Sequence, residues 1–194
     1  MDKFLEINRT NWNERTPVHA ASRFYYDVDS FKAGRITLNK VEQEELGDVS
    51  GKTLLHLRCH FGVDTMSWAR LGANATGVDL SDVAINFARS LNDELDLNVE
   101  FVESNVFDFP NVLDKKLDIV FTSVGVLSWI SDIDKWASVV AHFLKPGGTF
   151  YIIDFHPLLG ILEPTNSDEM KPVDKYWYES CISLVTLRPT PGLK

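Results

Sequence analysis

A doubly wound α/β fold with a mostly parallel sheet is predicted for this 194-residue chain. Two patterns predict it. From Lys52 onward, apolar runs of strand length alternate with segments of helical periodicity. Within that alternation, residues 54–81 (LLHLRCHFGVDTMSWARLGANATGVDLS) form a β-α-β unit whose second strand ends on a carboxylate, Asp79. A carboxylate there can accept hydrogen bonds from both hydroxyls of a ribose. Gly62 and Asp79 are 17 residues apart, close to the roughly 20 expected for that role.

Residues 1–35 read as partly helical, with a break near Pro17. A short helix fits NKVEQEELG, with Asn39 and Glu42 at capping-box spacing and Gly47 closing it. Strands are predicted over 53–57, 75–79, 99–103, 117–122 and 148–154. The helix after the first strand carries Met66, Trp68, Ala69 and Leu71 as its apolar members. In the next, Val83, Phe87, Leu91 and Leu95 share a stripe, capped by Ser81 or Asp82. Ile133, Trp136, Ala137, Val140 and Leu144 pattern a third, ending at Pro146-Gly147-Gly148. Apolar strands alternating with helices imply a parallel sheet covered on both faces, a three-layer α/β/α sandwich. Its strand tips then share one edge, where ligands bind. The tips are Leu57 to His60, Asp79, Ser104 to Val106, Thr122 to Gly125, and Asp154 to Pro157.

Composition narrows the function. A hydrophobic fraction of 44% and a charged fraction of 24% suit one globular domain. Net charge is −9 with no long basic run, which disfavours nucleic acid, since duplex binding relies on neutralising phosphates. No apolar stretch approaches the ~20 residues that span a bilayer, and the first residues have no signal-peptide pattern. With only Cys59 and Cys181, neither a zinc ribbon nor a disulfide framework is suggested. The expected setting is the cytoplasm, without a membrane partner. His56 and His60 are four apart at a strand end, where helical pairing fails, so no metal is expected.

The order of the tips resembles the class I S-adenosylmethionine-dependent methyltransferases over roughly residues 50–157. LLHLRCHFG sits at the family's first motif, GVDLS at the second, FVESNVFDFP at the third, LDIVFTSVGVLSWI at the fourth, and FLKPGGTFYIID at the turn and fifth strand. No single element is specific; five in order are. HLRCHFGVDTMSWARLGA looks like a bacterial branch acting on small molecules. The resemblance implies a Rossmann-like core over 51–157, preceded by a helical lid over 1–50 and followed by a C-terminal extension over 158–194. It implies cofactor contacts from His56, Arg58, Cys59, His60 and Gly62, from Asp79 and Leu80, from Asn105 and Val106, and from Ser123. Tyr25, Tyr26 and Trp129 are expected on the lid and substrate side, and His156 as a substrate-side general base. S-adenosylhomocysteine would be the product of the cofactor.

Two departures modify this expectation. The family's first motif reads acid-x-Gly-x-Gly-x-Gly, whereas this chain has His56, Arg58, His60 and Gly62. Side chains therefore crowd the methionine half of the pocket, where Arg58 either pairs with the cofactor carboxylate or points to solvent. In the third motif Asn105 replaces the acid, a neutral acceptor that binds more weakly than a charged one. The family sheet has seven strands, the last two antiparallel. Residues 176–185 suit one more strand here, so the antiparallel edge is expected to be incomplete, through truncation or completion by a second copy through residues 160–194. The expected activity is methyl transfer to a small-molecule acceptor; the alternative is a cofactor-binding but catalytically silent module. A nicotinamide oxidoreductase is disfavoured, because residues 58–63 lack Gly-x-Gly-x-x-Gly.

Overall fold

The computed structural model describes residues 3–24, 26–156, 158–164 and 170–172. They fall into two units, one within Met1–Asp154 and one within Phe155–Lys194. The first contains helices α1 (Lys3–Ala20), α2 (Val28–Lys32), α3 (Lys40–Leu46), α4 (Val63–Arg70), α5 (Asp82–Glu94) and α6 (Ile133–Phe143). Its strands are β1 (Thr53–Leu57), β2 (Asn74–Asp79), β3 (Glu100–Glu103), β4 (Leu117–Thr122) and β5 (Leu144–Ile152). All strand pairs are parallel, in the order β3-β2-β1-β4-β5. Chain direction across the sheet reverses between β1 and β4, so their tips open a crevice suited to a ligand. In the second unit, α7 (Leu158–Ile161) leads into β6 (Leu162–Pro164), which pairs antiparallel with β7 (Met170–Pro172).

The sheet forms because its central strands are apolar on both faces. Leu54, Ile119 and Phe121 pack with Trp68 of α4 and Ile85 of α5 on one side. Leu55, Leu57 and Val120 pack with Trp136 and Phe143 of α6 on the other. At the edge opposite the tips, Asp118 accepts hydrogen bonds from the Thr53 amide (2.9 Å) and hydroxyl (2.6 Å) and from Lys145 Nζ (2.7 Å). This one carboxylate fastens β1, β4 and β5 together. Among the described residues no helix is long and apolar enough to cross a membrane.

Four expectations are corrected. Helix α1 runs through Pro17 without a break, because proline removes one donor and less than a turn of helix remains beyond it. Helix α5 buries Ala84, Ile85 and Ala88 beside Leu91 of the expected stripe, while Phe87 and Leu95 are partly buried against the core and Val83 is 38% exposed. Small alanines let that face approach the sheet closely. Likewise α6 buries Val139 and Phe143 beside Trp136 and Val140, leaving Ile133 52% exposed. Strand β5 starts at Leu144, earlier than Gly148, because it pairs with Leu117 before an irregularity returns it to register at Ile119↔Thr149. The short helix α3 is as expected, with the Asn39 amide donating to Glu42 Oε2 at 2.6 Å and Gly47 closing it at φ 61. The strand expected over 176–185 lies outside the described residues, as does most of the segment expected to join two copies.

Gly62 is the tightest point of the first turn. Its φ is 75, and a Cβ there would lie 2.3 Å from Cε1 of Phe101. Left-handed backbone and overpacking then act together, so Gly62→Ala should lose about 2–4 kcal/mol of stability. Urea denaturation measures this, and an unchanged midpoint would contradict the packing described.

Candidate functional site

The cleft begins with the turn after β1. Arg58, His60 and Gly62 all have positive φ (63, 52 and 75), and for the two non-glycine residues this costs roughly 1–2 kcal/mol each. Hydrogen bonds hold the turn in place. The Cys59 amide donates to Val78 O (3.0 Å) and the Gly62 amide to Cys59 O (2.9 Å). The His60 amide donates to Asp79 Oδ2 at 2.8 Å. Asp79 Oδ1 accepts the Ser81 amide at 2.9 Å. Each carboxylate oxygen thus spends one lone pair on backbone and keeps another. The competing role of helix cap falls to Ser81, whose hydroxyl accepts the Ala84 amide at 3.0 Å.

Two adjoining compartments share Arg58, Asp79 and Trp129. The first also takes in Leu80, Asn105, Val106 and the α1 residues Phe4, Leu5 and Asn8. The second takes in Trp12, Tyr26, His60 and Ser123–Val126. Arg58 Nη1 donates to Trp129 O at 3.1 Å across the junction; it faces the cleft, not solvent. Burial lowers its pKa, with the Asp79 charge opposing. Asn105 closes a local turn: its Oδ1 accepts the Phe107 amide (3.2 Å) and its Nδ2 donates to Asp108 (3.0 Å). One oxygen lone pair remains for a ligand.

Three residues expected at the ligand do not line either compartment. His56 is buried in β1, its Nδ1 paired with Thr65 Oγ1 (2.9 Å) and its Nε2 with Ser123 Oγ (3.2 Å). It fixes the tip of β4 from behind. Burial pushes its pKa down to about 3. Cys59 is buried where β1 meets β2, with Sγ 2.8 Å from the Cβ position of Gly77, and burial raises its thiol pKa. Gly62 serves the turn and Phe101. Tyr25 lies outside the described residues. His156 belongs to the second unit, where its Nδ1 accepts the Leu158 amide at 3.2 Å.

The helical lid expected over residues 1–50 includes α1 (Lys3–Ala20), but sequence reasoning did not name the residues that anchor it. Arg9 and Asn13 both reach Asp82 Oδ1 (3.2 and 2.8 Å), Ser81 Oγ donates to Asn13 Oδ1 (2.6 Å), and Arg9 pairs with Glu103 (3.4 Å). Polar residues on a mixed helix gave little signal of this. It also missed Asp154, which accepts the Gly125 and Leu127 amides (2.8 and 3.0 Å) and folds the loop carrying Trp129. An acid at a strand tip was the available clue.

Residues 54–148 match the family described as "Methyltransferase domain". Curated relatives include the "Ubiquinone biosynthesis O-methyltransferase" of Serratia proteamaculans, 30% identical over 113 residues, covering 58% of this chain and 46% of the relative. That of Bordetella bronchiseptica is 30% identical over 151 residues, covering 76% and 57%. The chain spans about half the length of the curated relatives it matches. Among solved structures, the glycopeptide N-methyltransferase MtfA complexed with (S)-adenosyl-L-methionine superposes with a TM-score of 0.50 at 26% identity, over 57% of this chain and 50% of that one.

Two buried histidines, His56 and His60, give stability a pH dependence. Burial also pushes the His60 pKa down to about 3, with His19 adding to the effect. The unfolded chain therefore takes up protons first. The stability gained by keeping these rings neutral is complete above about pH 6.5 and falls as pH drops toward 3, by up to about 1.4 kcal/mol per pH unit for each ring. Urea unfolding at pH 6 and pH 5 should show a smaller loss for His56→Gln than for wild type; equal losses would contradict the neutral ring.

Proposed function

We propose that this chain, which belongs to the class I S-adenosylmethionine-dependent methyltransferases, binds S-adenosylmethionine in this cleft and transfers its methyl group to a small-molecule acceptor. The observation that carries the reading is Asp79, a carboxylate at the tip of β2 with one lone pair left on each oxygen. The residues fit the cofactor. Asp79 would hold the ribose diol, with Leu80, Asn105 and Val106 at the base end and Ser123 on the floor. When bound, the cofactor supplies a methyl group on a positively charged sulfur. The faces of Trp12, Tyr26 and Trp129 suit such a cation. The protein's contribution is chiefly orientation, which is worth several powers of ten in rate.

Net charge of −9 and the small-molecule O-methyltransferase names of curated relatives support a small acceptor over nucleic acid. For an acceptor protonated at neutral pH, His156 is our proposed base, on residue type. A cytoplasmic setting fits the free thiol of Cys59. The second reading, a cofactor-binding but silent module, is favoured only by side chains at positions 58 and 60, where the family has glycine.

Isothermal titration of S-adenosylmethionine and S-adenosylhomocysteine tests the proposal. Micromolar binding is expected for wild type, with a loss of about a hundredfold or more in Asp79→Ala, since two hydrogen bonds to a charged group disappear. Asp79→Asn should fall between. No binding to wild type, or equal binding by Asp79→Ala, would refute the site.

A further inference from the structure

Ser123 stands at the tip of β4 with a buried ring behind its hydroxyl. His56 Nε2 lies 3.2 Å from Ser123 Oγ, and His56 Nδ1 lies 2.9 Å from Thr65 Oγ1. His56 and Thr65 are buried, whereas Ser123 is half-buried and lines the second compartment. Burial holds the imidazole neutral, so the ring carries one hydrogen and one bare lone pair. Which nitrogen holds the hydrogen decides what Ser123 offers the cleft.

Thr65 sets the direction. Burial raises the Cys59 thiol pKa, and a hydrogen bond from the Thr65 side chain opposes the rise. Cys59 Sγ in turn donates to His60 O at 3.5 Å. With its only hydrogen turned to sulfur, the Thr65 oxygen accepts from His56 Nδ1. His56 Nε2 is then the lone pair, and it accepts from the Ser123 hydroxyl. In this direction every side-chain hydrogen along Ser123, His56, Thr65 and Cys59 is used inside the protein. The reverse direction strips the sulfur of its donor and leaves a hydroxyl hydrogen loose in the cleft. Buried polar groups favour the fully used arrangement. Ser123 Oγ therefore keeps both lone pairs free for a ligand in the compartment it lines.

We propose that Ser123 selects a methyl acceptor carrying a neutral O–H or N–H, whose hydrogen it receives in a hydrogen bond, and that His56 is the positioning residue that keeps Ser123 an acceptor. The proposal rests on the methyltransferase reading and names the substrate class for it. An O–H or N–H group that donates to Ser123 keeps its own lone pair for attack on the methyl carbon. An acceptor-only anion, such as a carboxylate, meets the Ser123 oxygen lone pair to lone pair. Because the ring stays neutral, Ser123 orients the acceptor and does not deprotonate it.

The test titrates three probes by NMR in the presence of S-adenosylhomocysteine: phenol, fluorobenzene of similar shape without the donor, and benzoate. The preference for phenol over fluorobenzene should be about three- to tenfold larger in wild type than in Ser123→Ala, the worth of one hydrogen bond. His56→Leu frees the Ser123 hydrogen to donate, so benzoate should gain on phenol by a similar factor. Nitrogen NMR of the wild-type imidazoles keeps the proposal testable should His56→Leu fail to fold: it should show His56 protonated on Nδ1, with Nε2 responding to Ser123→Ala. Protonation on Nε2, a phenol preference unchanged by Ser123→Ala, an unshifted ratio in folded His56→Leu, or no binding of any probe overturns the proposal and leaves the cofactor reading intact. Failure of S-adenosylhomocysteine itself to bind overturns both.

Discussion

A single carboxylate sets the geometry of the cleft. Asp79 receives the His60 amide on one oxygen and the Ser81 amide on the other, so it joins the turn after β1 to the entrance of α5. The turn needs such an anchor, because Arg58 and His60 sit in left-handed backbone that glycine would adopt without cost. The same two bonds aim the remaining lone pairs of the carboxylate. Fold maintenance and ligand recognition thus draw on one group.

Behind that anchor lies a layer of uncharged imidazole. His56 holds Thr65 and Ser123 within the core, and His60 leans on Thr16 inside an aromatic enclosure. Both rings are neutral because their surroundings cannot solvate a charge. Neutral imidazole supplies one donor and one acceptor per ring, at position 56 where the family has an acid and at position 60 where it has glycine. The turn is correspondingly more polar than a glycine turn.

The sequence made much of this legible, for reasons that differ by element. Strands β1, β2 and β4 were placed to within a residue because they are short apolar runs bounded by polar punctuation. Asp79 was legible because its position at a strand tip is a matter of spacing. Helix faces were less so: Val83, Phe87, Leu91 and Leu95 form a fair stripe, yet Ala84 and Ala88 won the interior because small side chains permit close packing. The resemblance placed His56 and Cys59 at the ligand, and their side chains are buried in the core beside the cleft. The long reach of α1 to Ser81, Asp82 and Glu103 is a tertiary contact with no local signature.

Helix α1 ties itself across the mouth of the cleft through Arg9 and Asn13, using ion pairs and hydrogen bonds at a half-exposed rim. Phe4, Leu5, Asn8 and Trp12 of the same helix line the interior. The rim bonds are open to screening by dissolved ions, whereas the contacts inside are shielded from them. Ionic strength therefore acts unevenly on the two sides of one helix: added salt weakens the tie of α1 to Asp82 and Glu103 and leaves its buried contacts as they were.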